Sequence, residues 1–287
     1  MRTALQAAAF VLMLLLLAPE AAFLVTGGGW DRLFTRPGWT NGLFAQAFFV
    51  LGLPGLAAAV EFARHGGTPI PFDPPRRLVR TGPYAYLANP MQFSMALVLF
   101  AWGAWLESWW VASFAAVAVV YGAGFAKWSE AQDLEKRFGA DWIRYRKSVR
   151  DWFPRKRPYI EQPATLYVAG GCGRCSQVRR WFERRGPIGL VILDAECHPT
   201  RDLERITYAG DGAEEQGVAG LARALEHIHL GWAVAGWAMR LPVVVQLLQL
   251  LVDASGGEAM LVRRGVPISC NLPPLPASKR RNDPRHL

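Results

Sequence analysis

Cysteine is scarce in this chain, with four in 287 residues. Cys172 and Cys175 form a C-x-x-C, while Cys197 and Cys270 stand apart. A secreted disulfide framework needs a denser, paired set, so that class is excluded. No nucleic-acid-binding motif is present, and no internal repeat of the kind that builds solenoids or propellers. Charge is sparse in residues 1–127, which hold most of the long apolar runs. Residues 128–160 are densely charged instead, and the remainder alternates like a water-soluble chain.

Crossing a bilayer as a helix takes roughly 20 apolar residues. Four stretches have that character: 4–25, interrupted by Gln6, Pro19 and Glu20, then 43–60, 91–106 and 109–125. The last two are short and separated only by Glu107 and Ser108, which predicts a tight helical hairpin. Their apolar faces run all the way round, which favours lipid over the alternative, four buried helices of a soluble bundle. The first stretch also admits a cleaved signal peptide, although only Arg2 precedes it and its apolar run is long.

The net charge of +9 is concentrated beside the apolar runs. That pattern suits an anionic membrane surface, with lipids rather than nucleic acid as partner. The second loop holds Arg64, Arg76, Arg77 and Arg80, and the segment after the fourth stretch holds ten Lys and Arg between Lys127 and Arg157. The third loop has none, and in the first Arg32 and Arg36 are opposed by Asp31. Basic loops stay inside, so both termini are expected on the cytoplasmic side of a cell or inner membrane.

From Ala164 the pattern predicts a strand (ATLYVA), a helix after the cysteines, a second strand (LVILDA), a weak strand with a turn (ITYAGDG) and an amphipathic helix (VAGLARALEHI). The run WAVAGWAMRLPVVVQLLQLLV is strongly apolar and broken by Arg240 and Pro242. Core helices, a surface-embedded element and a fifth span all remain open for it. The tail at 271–287 is Pro-rich and basic and is expected to be disordered.

Two blocks flank the expected hairpin. RLVRTGPYAYLANPMQF contributes Leu78, Val79, Gly82, Pro83, Tyr84 and Pro90, and EAQDLEKRFGADWIRYRKSVRDWFP contributes Glu130, Leu134, Phe138, Gly139, Tyr145 and Pro154. In order and spacing, residues of about 40–155 resemble the isoprenylcysteine carboxyl methyltransferase and phospholipid methyltransferase group of membrane enzymes. The resemblance implies S-adenosyl-L-methionine as cofactor and a lipid-soluble or membrane-held methyl acceptor. It also implies cofactor contacts at Gly82, Pro83, Tyr84, Asn89, Pro90, Glu130 and Tyr145, with Tyr86 beside them. The chain departs from the group at Asn89 for its histidine, Ala88 for its arginine, Ala131 for its second glutamate and Trp142 for its first tyrosine. An asparagine donates a hydrogen bond but neither titrates nor carries charge.

Cys172 follows a strand and opens a helix, where the helix N-terminus and Arg174, Arg179 and Arg180 favour thiolate. Cys172 is the candidate nucleophile and Cys175 the resolving thiol, the two catalytic residues of a dithiol site. Residues of about 164–255, with Asp194-Ala195 and Leu241-Pro242, resemble the DCC family of thioredoxin-like proteins, predicted thiol-disulfide oxidoreductases. That implies a protein partner offering a thiol or disulfide. Gly170 and Gly171 stand where that family has an aspartate. A zinc site using Cys172, Cys175 and two of Cys197, His198, His227, His229 or Cys270 is a weaker alternative, since no second C-x-x-C accompanies the first. An inert pair on a packing module is another. No metal is expected.

The expected architecture is therefore multi-domain. An all-α membrane bundle of about four transmembrane helices (1–127) and a basic cytosolic segment (128–160) precede an α/β thioredoxin-like domain (164–255).

Overall fold

The computed structural model describes residues 2–35, 37–66 and 77–265, and over 2–10 and 125–132 only the backbone. The tail at 271–287 and Cys270 lie outside the described residues. The helical half comprises α1 (Arg2–Thr26), α2 (Gly38–Arg64), α3 (Pro90–Trp105), α4 (Trp109–Tyr121) and α5 (Lys127–Ser148). Short 3-10 turns at Trp30–Leu33 and Gly82–Ala85 and a π turn at Gly122–Ala126 join them. α3 and α4 form the expected tight hairpin. Glu107 turns it at positive φ (50°), and the Ser108 hydroxyl caps α4 by accepting from the Val111 N–H at 3.3 Å. Pro90 sits at the first position of α3, where its missing N–H costs nothing.

Four membrane spans are more than the helices support. Among the described residues α2 alone, 27 residues long, is long and apolar enough to cross a bilayer. α3 and α4 have 16 and 13 residues, short of the roughly 20 a straight span needs. The surface of this half is nonetheless inverted for a soluble protein. Leu16, Leu17, Leu43, Phe49, Val50, Leu56, Phe100, Trp110 and Val120 are all exposed, as a lipid-facing bundle requires.

The C-terminal half is a four-stranded mixed sheet with helices. β1 (Ala164–Val168) pairs in parallel with β2 (Leu190–Asp194) through α6 (Gly173–Glu183). β3 (Thr207–Gly210) lies antiparallel to β1 and pairs with β4 (Ala213–Gln216), giving the order β2-β1-β3-β4. Asp211 and Gly212, both at positive φ (51° and 72°), make the two-residue hairpin that the Asp-Gly step predicts. α7 (Gly217–Leu225) covers the sheet through Ala224 and Leu225, in one cluster with Leu166, Val168, Phe182 and Tyr208. α8 (Leu230–Met239) and α9 (Val244–Val252), the last α-helices among the described residues, meet at a 90° bend, and a π turn at Asp253–Gly257 follows.

The halves are locked together. Ala233 and Trp237 of α8 share a buried cluster with Leu53 and Ala57 of α2 and with Tyr86. One turn beyond Ala57, Glu61 is 1% exposed and takes a bidentate bond from Arg223 of α7 (Nη1–Oε1 2.8 Å, Nη2–Oε2 3.0 Å). Arg240, at the end of α8, reaches the same carboxylate at 3.1 Å, Glu226 at 2.9 Å and Glu215 at 2.7 Å. Arg64 adds a bond to Glu215 at 2.7 Å. Three carboxylates and three guanidiniums thus neutralise one another at the end of the long apolar helix α2. Removing one partner of a buried pair strands the other charge, at roughly 3–5 kcal/mol. Arg223→Ala should therefore lower the thermal unfolding midpoint in detergent sharply. Arg201→Ala, which removes the exposed pair with Glu214, should cost at most about 1 kcal/mol.

Candidate functional site

Two groups of residues carry chemistry. The first is the loop before α3. Gly82 holds φ at 62°, and a Cβ there would stand 2.6 Å from Glu61 Cγ, so only glycine lets the loop close onto the ion cluster. Thr81 Oγ1 donates to Glu61 Oε2 at 2.8 Å. Gly82, Pro83 and Tyr84 are buried. The Tyr84 carbonyl accepts from the Tyr145 hydroxyl at 2.8 Å, and its ring lies 5.8 Å from Phe62. The Tyr145 ring packs edge-on to Tyr159. Burial pushes the Tyr145 phenol far above its ordinary range, so it stays a hydrogen-bond donor.

The fold thus gathers Gly82, Pro83, Tyr84, Asn89, Pro90 and Tyr145 into one sector, but their polar atoms serve one another. Asn89 Nδ2 donates to Asp151 Oδ1 at 3.2 Å, and Asp151 also pairs with Arg146 at 2.5 Å. The Tyr86 hydroxyl donates to the Glu226 carbonyl at 2.7 Å. α5 is broken at Gly139 (φ 51°), which puts Tyr145 on the segment after the break and Glu130 on the one before it, and the Glu130 side chain is outside the described atoms. Beside Gly82, between Thr81, Tyr159, Tyr208, Arg223 and His227, is a cavity of about 50 Å³. Small-molecule pockets run to about 300–1,000 Å³, so this one takes water rather than a nucleoside cofactor. A cofactor here requires the loop and the C-terminal half to separate.

The second group is the C-x-x-C. The β1–α6–β2 unit presents Cys172 as the N-cap of α6, with an extended backbone (φ −99°, ψ 124°), and turns Cys175 inward against the sheet core. The Cys175 N–H and thiol both point at the Cys172 sulfur, and these bonds hold its pKa below the ordinary thiol value, with Arg174 adding a smaller pull. Burial, then the bond to Cys172, pushes Cys175 up to about 11. Both cysteines are free and partly accessible.

The arginines expected to assist divide differently. Arg179 pairs with Asp194 at the end of β2, and Arg174 Nη1 donates to the Ser255 carbonyl at 2.7 Å. The zinc alternative finds its histidines engaged elsewhere. His198 bonds Glu214 at 3.1 Å, and His227 lies between the Tyr208 hydroxyl (2.9 Å) and the Ile188 carbonyl (2.8 Å). Burial drives His227 down to about 4, so it is neutral there. Cys197 is also engaged. Among the described residues no group of three His, Cys, Asp or Glu is arranged to hold a metal.

Comparison with known proteins bears on the helical half. Residues 43–141 match the phospholipid methyltransferase family. The match takes in about a third of the chain, α2 through the middle of α5, and ends before Tyr145 and the sheet. No curated protein and no solved structure matches the chain. The helical half is thus methyltransferase-like on this match, and with α2 it suggests a membrane protein. Sequence reasoning passed over Glu61, Arg223, Glu226 and Arg240. A lone Glu at the end of an apolar run and a lone Arg inside another were the available signals, and neither names its partner.

The thiol asymmetry predicts a pH profile. A lowered pKa means that thiolate persists further into acid, so Cys172 should be alkylated by iodoacetamide with a midpoint below about 8.5. Cys175 should stay slow until the pH approaches its own value. Peptide mapping of the labelled protein between pH 5 and 10 reads both.

Proposed function

We propose that this chain is a membrane-anchored thiol–disulfide exchange protein, built on a methyltransferase-like helical half, with Cys172 and Cys175 as its chemistry. The observation that carries this reading is the geometry of the pair, Cys172 partly accessible at the N-cap of α6 and Cys175 packed against the sheet core, and the opposed pull on the two thiols agrees with it. The cysteines lie in a parallel strand–helix–strand unit, β1–α6–β2. The Cys172 thiolate attacks a substrate disulfide, forming a mixed disulfide and releasing one substrate thiolate. Cys175, giving up its proton to solvent, then attacks the Cys172 sulfur and releases the second thiolate. The protein is left with a Cys172–Cys175 bond, and two electrons have passed to the substrate. A cytosolic dithiol reductant restores the pair. The distribution of Lys and Arg favours a cytoplasmic side for this domain and for both termini.

Cys172→Ser is expected to abolish disulfide reduction by the purified protein. Cys175→Ser is expected to accumulate the mixed disulfide, seen as a species on non-reducing gels that dithiothreitol removes. Wild-type turnover from the Cys172 variant would sink the reading.

A second reading is favoured by the match over 43–141: S-adenosyl-L-methionine-dependent methylation of a lipid-soluble or membrane-held acceptor. It asks the sector of Tyr84, Asn89, Glu130 and Tyr145 to open, with the cofactor entering between that loop and α5. Methyl transfer is an in-line displacement in which the protein mainly orients two partners and excludes water. Equilibrium binding of S-adenosyl-L-methionine to detergent-purified protein, wild type beside Glu130→Ala, decides it. Saturable binding that the variant loses supports this reading, and no binding to a folded protein removes it.

A further inference from the structure

α9 is built the wrong way round for a soluble domain. Its polar handle points inward: Gln249 Oε1 accepts from the Val218 N–H at 2.9 Å, and its Nε2 donates to Asp253 at 2.8 Å. Its apolar side chains point out, with Leu247 56%, Leu250 65% and Leu251 64% exposed, and Val243 just before it 61%. No residue of α9 is buried. These side chains recur at i, i+4, i+7 and i+8, one stripe of the helix. From 241 to 252 the chain carries no charge at all.

The covering medium follows from what α9 is joined to. α8 packs along α2 from Glu61 back to Leu53, two turns into the helix that, among the described residues, is by itself long and apolar enough to cross a bilayer. α8 therefore leaves its contact with the span at the level of the membrane surface. The bend after it, with Val243 at φ 71° and Pro242 before it, turns α9 through 90°. A helix perpendicular to one that follows a span lies in the plane of the bilayer.

We infer that α9 is an interfacial helix whose leucine stripe is buried among the acyl chains of the same membrane that α2 crosses. Such helices sink an apolar face about 5–10 Å into the headgroup boundary. The inference goes beyond thiol chemistry and stands without it, but it has a consequence for that reading. Arg174, between the two cysteines, is bonded to Ser255 in the turn that ends α9, and Gly256 packs against its guanidinium. Docking of α9 therefore anchors the C-x-x-C beside the headgroups, where its partner is a disulfide carried at the membrane surface.

Nitroxide labels at Leu247→Cys, Leu250→Cys and Leu251→Cys test the docking in full-length protein reconstituted into phosphatidylcholine/phosphatidylglycerol nanodiscs. The background is Cys172→Ser with Cys175→Ser, labelled without an introduced cysteine as the blank, so the outcome is independent of redox activity. Arg184→Cys, exposed just past the end of α6, is the aqueous control. The expected result is relaxation dominated by oxygen at all three α9 positions and by a water-soluble nickel chelate at 184. Nickel-dominated relaxation on α9 overturns the inference. So does protection from both reagents, which would mean that a second copy or another protein covers the stripe. The labelled positions are surface sites, so folding is not at stake.

Discussion

The molecule is organised around one buried carboxylate. Glu61 stands near the end of the long apolar helix α2, sealed from water, and a lone charge there would be untenable. Arg223 and Arg240, brought by two helices more than 160 residues further along the chain, neutralise it. Their own burial is balanced in turn by Glu226 and Glu215. None of these five charged groups is tolerable in the absence of the others, so the helical half and the sheet half fold as one body.

That coupling shapes both chemical centres. The Gly82 loop is pressed onto Glu61, and Tyr86 and Tyr145 spend their hydroxyls on backbone carbonyls. The loop that resembles a cofactor cap is here a joint between domains. The dithiol centre is untouched by this packing. Cys172 keeps its helix-terminal position and its accessibility, while Cys175 is drawn into the core. The methyltransferase-like helices and the C-x-x-C therefore occupy the chain in different ways, the first as a packed frame and the second as a partly accessible pair.

Much of the local structure was legible in the residues. The α3–α4 hairpin followed from two short apolar runs separated by Glu107 and Ser108. The start of α3 followed from the Asn89-Pro90 step, and the β3–β4 turn from Asp211-Gly212. These are nearest-neighbour effects, set by φ preferences and hydrogen bonds within a few residues. Four full-length spans were not supported, because an apolar run marks what a segment avoids, not how many residues stay helical. α4 passes into a π turn at Gly122, and α3 ends at Trp105.

By itself the sequence determined the two-part texture of the chain, the helix and strand segments, and a C-x-x-C opening a helix. Local patterning of apolar, charged and glycine residues carries that information. Tertiary structure alone decided that Glu61 meets Arg223 and Arg240, that Asn89 is committed to Asp151, and that α8 is buried while α9 turns its leucines outward. Those outcomes depend on which distant surfaces meet. A side chain's partner across 160 residues is chosen by the free energy of burying charge, and no short stretch of sequence records it.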